Sequence, residues 1–238
     1  LARGSSGAPR KRASARRIQV LKSDATCRTI AASVAVGRWL GAEADDLVAD
    51  ICAGRGGKSW SLASTGAEVT AFDLSADKLA AARQLVARSG NKLMATIVAD
   101  LGPRGDPNSL DALAGGFDKV LVDAPCTGLG TLRRRPEIRH RRRAADVCAN
   151  ASLQRAILDR AAALVRPGGI LLYAVCSMTD EEGGSTVQRF LEKHPDFARA
   201  PTDGAWIADA LDSHGDLRSH PMWHGSDAFY AARLRRND

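Results

Sequence analysis

Two cysteines each follow an apolar segment of the chain at the point where a strand is expected to end. Cys126 follows the segment 117–123 in the run KVLVDAPCTGLG, and Cys176 follows the segment 170–175 in GGILLYAVCSMTDEE. In an open α/β sheet the carboxyl ends of neighbouring strands face one crevice. We therefore expect the two thiols to lie together there, in a two-thiol active site in which a thiolate attacks a substrate.

A glycine-rich turn follows another such segment, 47–51, which contains Asp50. The turn reads ICAGRGGKS. A phosphate-binding P-loop needs glycine at position 52, and the dinucleotide fingerprint GxGxxG needs one at position 59; the chain has Cys52 and Ser59 there. S-adenosyl-L-methionine remains as the common ligand of this topology, because its methionine end carries no phosphate. We expect it to rest on the turn residues Cys52, Ala53, Gly54, Arg55, Gly56, Gly57 and Lys58.

Aspartates end three further strand patterns, and each has a use in such a site. Asp73 ends the segment 68–73, where a carboxylate can accept both hydroxyls of a ribose. Asp100 follows the segment 94–99 and is placed to receive an adenine amino group. Asp123 ends the segment 117–123, three residues before Cys126. Three strand-end acids in register therefore favour a cofactor site beside the thiols.

The elements that must position these residues alternate between strand and helix patterns. Parallel crossovers and a doubly wound α/β sheet follow from this alternation. The first helix begins at Asp24, and Thr179 and Glu182 match a capping box at the start of a helix over 180–193. A helix start lowers the pKa of a nearby thiol, whereas neighbouring acids raise it, so the balance at Cys176 stays open. The expected strands are 47–51, 68–73, 94–99, 117–123, 170–175 and 228–234, and the remaining helices are one from 58 and those over 76–88, 109–114 and 146–165.

The charge of the chain is concentrated in two segments. The 238 residues carry a formal net charge of +7, and residues 1–23 contain seven basic residues and no acid. We expect a flexible basic arm over 1–23 and one catalytic domain over 24–238. Residues 133–143 hold seven arginines against Glu137. A focused arginine patch is typical of a docking site for a polyanion.

Four motifs, in order, resemble those of the RNA 5-methylcytosine methyltransferases of the Sun, or ribosomal small-subunit methyltransferase B, type. They are DICAGRGGKS, FDKVLVDAPCTGLGTLRRRPEIR, RPGGILLYAVCSMTDEE and WHGSDAFYAARL. The resemblance implies a class I, Rossmann-like methyltransferase fold with a mostly parallel seven-stranded sheet whose last strand is antiparallel. It also implies S-adenosyl-L-methionine as cofactor and RNA, of the small ribosomal subunit, as substrate. The family's arginine segment lies near the RNA, which here corresponds to Arg133, Arg134, Arg135 and Arg139.

The resemblance also gives each site residue a role. Carbon 5 of cytosine is a poor nucleophile, so a thiolate must first add to carbon 6. By resemblance Cys176 is this nucleophile, Cys126 assists release of the product, and Asp123 faces ring nitrogen 3. DNA cytosine methyltransferases instead use the cysteine of a Pro-Cys motif, which would make Cys126 the nucleophile. The residues alone leave that order open.

Several wider expectations accompany the main interpretation. The alternative from another class is a non-catalytic protein of the same fold that binds RNA or assists ribosome assembly. The cysteines form no CxxC pair, and the chain has no membrane-spanning run. We expect a monomer in the cytoplasm that binds no metal and no membrane. Location in an organelle matrix is expected instead if residues 1–23 are the remnant of a transit peptide.

Overall fold

The computed structural model describes residues 36–106, 108–200 and 208–238. The predicted arm over 1–23 and the helix start at Asp24 lie outside this part. Residues 36–40 are helical, so the described end of the first helix falls at Leu40 as predicted. No helix among the described residues is long and apolar enough to cross a membrane.

Helices and strands alternate along the described chain. The strands are β1 (Leu47–Ile51), β2 (Glu68–Asp73), β3 (Ala95–Val98), β4 (Phe117–Asp123), β5 (Val165–Val175), β6 (Phe197–Arg199), β7 (Leu217–Ser219) and β8 (Phe229–Arg236). The helices are α1 (Gly57–Ala63), α2 (Ala76–Arg88), α3 (Ile138–Arg141), α4 (Ala144–Leu164), α5 (Gly184–Lys193) and α6 (Pro221–His224).

One mixed sheet runs through the molecule in the order β3-β2-β1-β4-β5-β8-β6, and β7 pairs with β8. The strands β1 to β5 are parallel, whereas β8 is antiparallel to β5, β6 and β7. The predicted doubly wound sheet with an antiparallel last strand is therefore confirmed. The described sheet has eight strands rather than seven, because it includes β6 and β7, which have three residues each and are too short to show a strand pattern.

The direction of strand addition reverses between β1 and β4. The chain adds β2 and β3 on one side of β1, then returns to pair β4 with its other side. At such a reversal the loops beyond the two strands diverge and leave a crevice at their carboxyl ends. The glycine-rich turn after β1 and the Cys126 loop after β4 border this crevice.

Two apolar layers hold the sheet between its helices. Alternate residues of β5 point to opposite layers: Tyr173 packs with Leu158 of α4, whereas Leu172 packs in the cluster that contains Trp39 and Leu62. The central strands are buried on both faces, as expected for parallel strands covered by helices. Their carboxyl ends are therefore held rigidly, which gives the loops that follow them fixed starting points.

The helix predicted over 180–193 begins four residues later than expected. The helix α5 starts at Gly184, and Gly183 is its N-cap residue without a side-chain cap. The predicted capping box is wrong, because Glu182 lies before the helix and its side chain binds the Cys126 loop instead. Seven residues lie between Cys176 and Gly184, so the argument that a helix start adjoins Cys176 does not hold.

Candidate active site

The ends of β4 and β5 bring the two predicted cysteines together. Asp123 pairs with Ala174, and the amide of Ala124 donates to the carbonyl of Ala174 at 3.0 Å. The loops that follow β4 and β5 therefore begin side by side at the same end of the sheet. The sulfur atoms of Cys126 and Cys176 are 3.2 Å apart. A disulfide bond is about 2.05 Å long, so these are two free thiols in hydrogen-bond contact.

A buried carboxylate ties the two cysteine loops to each other. Glu182 is fully buried and accepts hydrogen bonds from the Thr127 amide at 2.8 Å, the Thr127 hydroxyl and the Ser177 hydroxyl at 2.5 Å. Gln154 of α4 donates to Glu182 at 3.2 Å and to the carbonyl of Pro125 at 2.9 Å. Thr127 and Ser177 each directly follow a cysteine, so Glu182 fixes the separation of the thiols.

Sequence reasoning did not find this arrangement. It assigned Glu182 to a helix cap and passed over Gln154. A signal was present for Gln154, which is the one polar side chain among the fully buried large residues of α4 in the described part of the chain. A buried amide requires hydrogen-bond partners, and here they are the two loops of the site.

Gly130 joins a third segment to the cysteines. Its amide donates to the carbonyl of Cys176 at 3.0 Å, and its carbonyl accepts from the amide of Ala228 at 2.9 Å. A Cβ atom at position 130 would lie 2.0 Å from the carbonyl oxygen of Ala228, so only glycine fits. The backbone before β8 is thereby fixed beside the cysteine pair.

The electrostatic surroundings of the two thiols differ. The hydrogen bond from Cys126 lowers the pKa of Cys176; burial and the charge of Asp123 oppose this effect, and the ammonium of Lys58 reinforces it. The same hydrogen bond, together with burial and the charge of Glu182, raises the pKa of Cys126 well above its usual value. Of the two thiols Cys176 is therefore the more acidic, chiefly because of its hydrogen bond with Cys126; Lys58 favours its ionisation, Asp123 opposes it, and Glu182 opposes ionisation of Cys126.

Lys58 links the glycine-rich turn to the cysteine pair. Its ammonium nitrogen lies 2.6 Å from Oδ2 of Asp123, and only 10% of its side chain is exposed. Burial lowers the pKa of Lys58, but the charge and hydrogen bond of Asp123 outweigh burial and raise it overall. Lys58 is therefore a fixed cation in the first turn of α1. We predicted it only as a cofactor ligand, and its contact with Asp123 was not foreseen.

The glycine-rich turn presents bare backbone toward the crevice. The amide of Gly54 donates to Asp73 at 2.9 Å, which ties the turn to the end of β2. Gly56 has a φ of +85°, and a Cβ there would lie 2.6 Å from the Cβ of Ala82, so the turn needs glycine to pack on α2. At Gly54 and Gly57 an added Cβ would meet no side chain within 4 Å, so the turn leaves open space beside its backbone.

Behind this turn Asp50 is fully buried and Cys52 is partly buried. Asp50 accepts a hydrogen bond from Ser59 at 2.5 Å, whereas its Oδ1 has no partner among the described residues. Burial raises the pKa of Asp50 to about 7, although the Ser59 hydrogen bond lowers it. Burial also raises the pKa of Cys52, next to the turn, to about 12, so this thiol stays protonated.

The three predicted strand-end acids share one edge of the sheet. Asp73 ends β2, and its oxygens accept from the amides of Gly54 and Ser75, each at 2.9 Å. Asp100 follows β3 and accepts from the amide of Gly102 at 2.7 Å. Leu74, which sequence reasoning missed, is 65% exposed directly after Asp73. The edge thus offers carboxylates next to an exposed apolar side chain.

The arginine segment has two kinds of members. Arg134 donates from Nε and Nη2 to the fully buried Asp227, at 2.8 and 2.5 Å. Its guanidinium is therefore engaged in holding the segment before β8. Arg135 and Arg139 are exposed, and Arg133 lies 3.9 Å from Asp227. The prediction of four RNA-binding arginines thus includes two, Arg134 and at longer distance Arg133, that also form an ion pair with Asp227.

Comparison with known proteins places these features in a family. Residues 38–235 match the sequence model of a family described as 16S rRNA methyltransferase RsmB/F. Over 202 residues the chain is 43% identical to a putative methyltransferase of Mycobacterium tuberculosis, a match that covers 84% of this chain and 41% of the relative. Over 207 residues it is 37% identical to ribosomal RNA small subunit methyltransferase B of Thermus thermophilus, covering 86% and 48%.

A solved structure of a related protein has a similar fold. NSun6 from Pyrococcus horikoshii, determined with SFG, superposes with a TM-score of 0.73 and 28% sequence identity, over 87% of this chain and 52% of that one. The chain spans less than half the length of the two curated relatives.

Proposed function

Because the chain belongs to the 16S rRNA methyltransferase RsmB/F family, we propose that it is an S-adenosyl-L-methionine-dependent RNA cytosine-5 methyltransferase of small-subunit ribosomal RNA. The observation that carries this proposal is the pair of thiols 3.2 Å apart, whose hydrogen bond lowers the pKa of Cys176 and raises that of Cys126. The family resemblance implies methylation of cytosine at carbon 5 by two such thiols, one that attacks as a thiolate and one that assists release.

The crevice has a suitable surface for the cofactor. The open backbone at Gly54 and Gly57 would accommodate the methionine portion, Asp73 the ribose and Leu74 one face of the adenine. Asp100 stands where the adenine amino group is expected. When bound, S-adenosyl-L-methionine supplies an electrophilic methyl group. These residues hold it at the edge of the sheet that carries the cysteines.

Cys176 acts as the nucleophile in this proposal. Its thiolate adds to carbon 6 of the cytosine, which makes carbon 5 nucleophilic toward the methyl group. Asp123 faces ring nitrogen 3 and, in its protonated form, donates a hydrogen bond to it as negative charge builds there during the addition; Lys58 holds the Asp123 side chain in place at 2.6 Å. Each of these contacts stabilises charge that develops as the adduct forms.

Cys126 acts after methyl transfer. The carbon 5 proton must leave and the Cys176–carbon 6 bond must break, so that the electron pair returns to Cys176 and the ring regains its double bond. Cys126 donates a hydrogen bond to the Cys176 sulfur, which stabilises the departing thiolate. The carbon 5 proton leaves to a water molecule, because a protonated Cys126 cannot act as the base.

The substrate, location and assembly follow from the same assignment. The exposed arginines Arg133, Arg135 and Arg139 support an RNA substrate, because guanidinium groups suit phosphates and can stack on bases. A ribosomal RNA enzyme of this kind acts in the cytoplasm or in an organelle matrix. We propose a monomer, with residues 1–23 as a basic arm.

The test is to incubate the protein and cofactor with small-subunit ribosomal RNA in which 5-fluorocytidine replaces cytidine. Fluorine at carbon 5 cannot leave as a proton does, so the enzyme should remain linked to RNA under denaturing conditions. We expect Cys176→Ala to abolish the adduct and Cys126→Ala to form it. The opposite pattern would make Cys126 the nucleophile, and no adduct with the unaltered protein would favour the non-catalytic RNA-binding alternative.

A further inference from the structure

Three exposed side chains beside the cysteine pair have no part in the chemistry proposed above. Trp223 is 78% exposed, Met222 is 83% exposed and Met178 is 48% exposed. Large apolar side chains that are exposed together on a protein surface commonly mark a binding site. Met178 lies two residues after Cys176, so this group adjoins the end of β5.

The group borders a cavity of about 150 Å³. Ser177, Met178 and Thr179 line it on one side, and His220 and Trp223 line it on the other. A cavity of about this volume admits one benzene-sized ring. The His220 and Trp223 rings lie 4.5 Å apart at 34° to each other. We call His220, Met222, Trp223 and Met178 the aromatic shelf.

Backbone contacts fix the shelf relative to the cysteine pair. The helix α6 carries Met222 and Trp223, and the chain then continues to Ala228, whose amide is bonded to the carbonyl of Gly130 at 2.9 Å. The amide of Gly130 is in turn bonded to the carbonyl of Cys176 at 3.0 Å. The segment that follows α6 is therefore tied through Gly130 to the backbone of Cys176 by two hydrogen bonds.

Two ion-paired arginines lie beside the apolar surface. Arg218 lines the same cavity, with its guanidinium 4.9 Å from the ring centroid of Tyr230, and it pairs with Asp212 at 2.7 Å. Arg134 anchors the arginine segment to Asp227, one residue before Ala228, at 2.5 Å, so the exposed Arg135 of the same segment is held near the shelf. An exposed aromatic ring beside an arginine segment is complementary to single-stranded RNA, whose bases stack and whose phosphates are anionic.

We propose that the aromatic shelf stacks a nucleobase adjacent to the target cytosine in the RNA strand. This inference rests on the proposed function. A cytosine that enters a crevice for chemistry must leave its stack, and its neighbour then loses a stacking partner. The Trp223 ring replaces that partner. The shelf thus holds the RNA strand on one side of the target nucleotide and contributes to the choice of sequence.

The test is a thermodynamic cycle between the ring and the base. RNA oligonucleotides that span the cytosine trapped by 5-fluorocytidine are prepared with an abasic nucleotide on its 5′ side, on its 3′ side or on neither. Loss of the stacked base should weaken binding to the unaltered protein on one side only, by roughly 5- to 150-fold. Trp223→Ala should weaken binding of the intact RNA by a similar factor and show no further loss with the abasic RNA.

Two variants control for side effects. Trp60 is 40% exposed on α1, away from the residues that line the shelf cavity. Trp60→Ala should keep the full sensitivity to the abasic nucleotide. Trp223→Phe retains a stacking ring and should restore most of the affinity that Trp223→Ala loses.

The outcomes separate this inference from the proposed function. The shelf inference is wrong if Trp223→Ala keeps the sensitivity of the unaltered protein to both abasic RNAs. It is also wrong if Trp223→Ala lowers the melting temperature without changing that sensitivity, because the ring then packs against protein. Failure of the unaltered protein to form a 5-fluorocytidine adduct would overturn the enzyme assignment. The abasic nucleotide is then moved along an oligonucleotide from the small-subunit RNA that the protein binds, and a position whose effect Trp223→Ala removes would leave the stacking inference standing.

Discussion

Glu182 should be a main determinant of the geometry of the thiol pair, and Glu182→Ala tests this. In the native structure the Glu182 carboxylate accepts hydrogen bonds from Thr127, Ser177 and Gln154, and it is fully buried. Alanine removes the acceptor and leaves a void between the two cysteine loops. The chain offers a matched control, because the neighbouring Glu181 is exposed.

The expected loss of stability can be worked out from the donors. After Glu182→Ala the amide of Thr127 has no acceptor, at a cost of about 1–3 kcal/mol. The hydroxyls of Thr127 and Ser177 lie 3.4 Å apart and can bond to each other, and Gln154 keeps its bond to Pro125. With the void added, we expect a total of about 2–5 kcal/mol. For a domain of this size that lowers the melting temperature by roughly 4–20 °C.

Urea denaturation of Glu182→Ala, Glu182→Gln and Glu181→Ala measures these free energies of unfolding. Glutamine keeps one acceptor oxygen and the shape of the side chain, so Glu182→Gln should lie between the other two. Glu181→Ala should change the free energy by no more than about 0.5 kcal/mol. Well below its melting temperature, Glu182→Ala should also form the 5-fluorocytidine adduct more slowly. Equal stability of Glu182→Ala and Glu181→Ala would refute the role assigned to this carboxylate.

Four further variants test the charges in and around the site. Cys176 should react with iodoacetamide at a midpoint below the ordinary thiol pKa, and Cys126→Ala should move that midpoint to higher pH, as followed by mass spectrometry of the Cys176 peptide. The native Asp50 carboxyl still holds a proton that the unfolded chain has lost, so the free energy of unfolding should fall as pH rises from about 4 to about 7; Asp50→Asn should remove this fall in urea denaturation. Arg135→Ala should reduce the salt dependence of RNA binding by about one phosphate contact without loss of stability. Arg134→Ala should lower the melting temperature, because it leaves the buried Asp227 with only the longer contact to Arg133, at 3.9 Å.

The fold and the location of the site could be predicted because both depend on local patterns. The bounds predicted for β1, β2, α2 and β4 agree with the structure, since each is a continuous apolar strand or an amphipathic helix with clear ends. Parallel strands must be joined by crossovers, so strand-end residues far apart in the chain meet at one edge. This rule was sufficient to bring Cys126 and Cys176 together.

The contacts that hold the site depended on tertiary structure and could not be predicted in this way. The spacing of Thr179 and Glu182 fits a capping box, but Glu182 binds Thr127, which lies 55 residues earlier in the chain. No local pattern records a hydrogen bond across that separation. The role of the arginine segment could likewise be predicted only in part. Its composition indicates a polyanion site, whereas the ion pair between Arg134 and Asp227 depends on the position of β8.

The order of the two thiols can now be argued from charge. Cys126 and Cys176 lie at equivalent strand ends, so their positions in the sequence do not indicate which of them is the nucleophile. The contacts of the two sulfurs distinguish them. Their hydrogen bond lowers the pKa of Cys176 and raises that of Cys126; Lys58 of the β1–α1 turn also lowers the pKa of Cys176, against a larger opposing effect of Asp123, whereas Glu182 raises the pKa of Cys126. The mechanism proposed above therefore places the proton on Cys126. The same turn would hold the cofactor, so Lys58 couples the methyl donor site to the choice of nucleophile, and Lys58→Met should weaken the preference for Cys176 without removing either thiol.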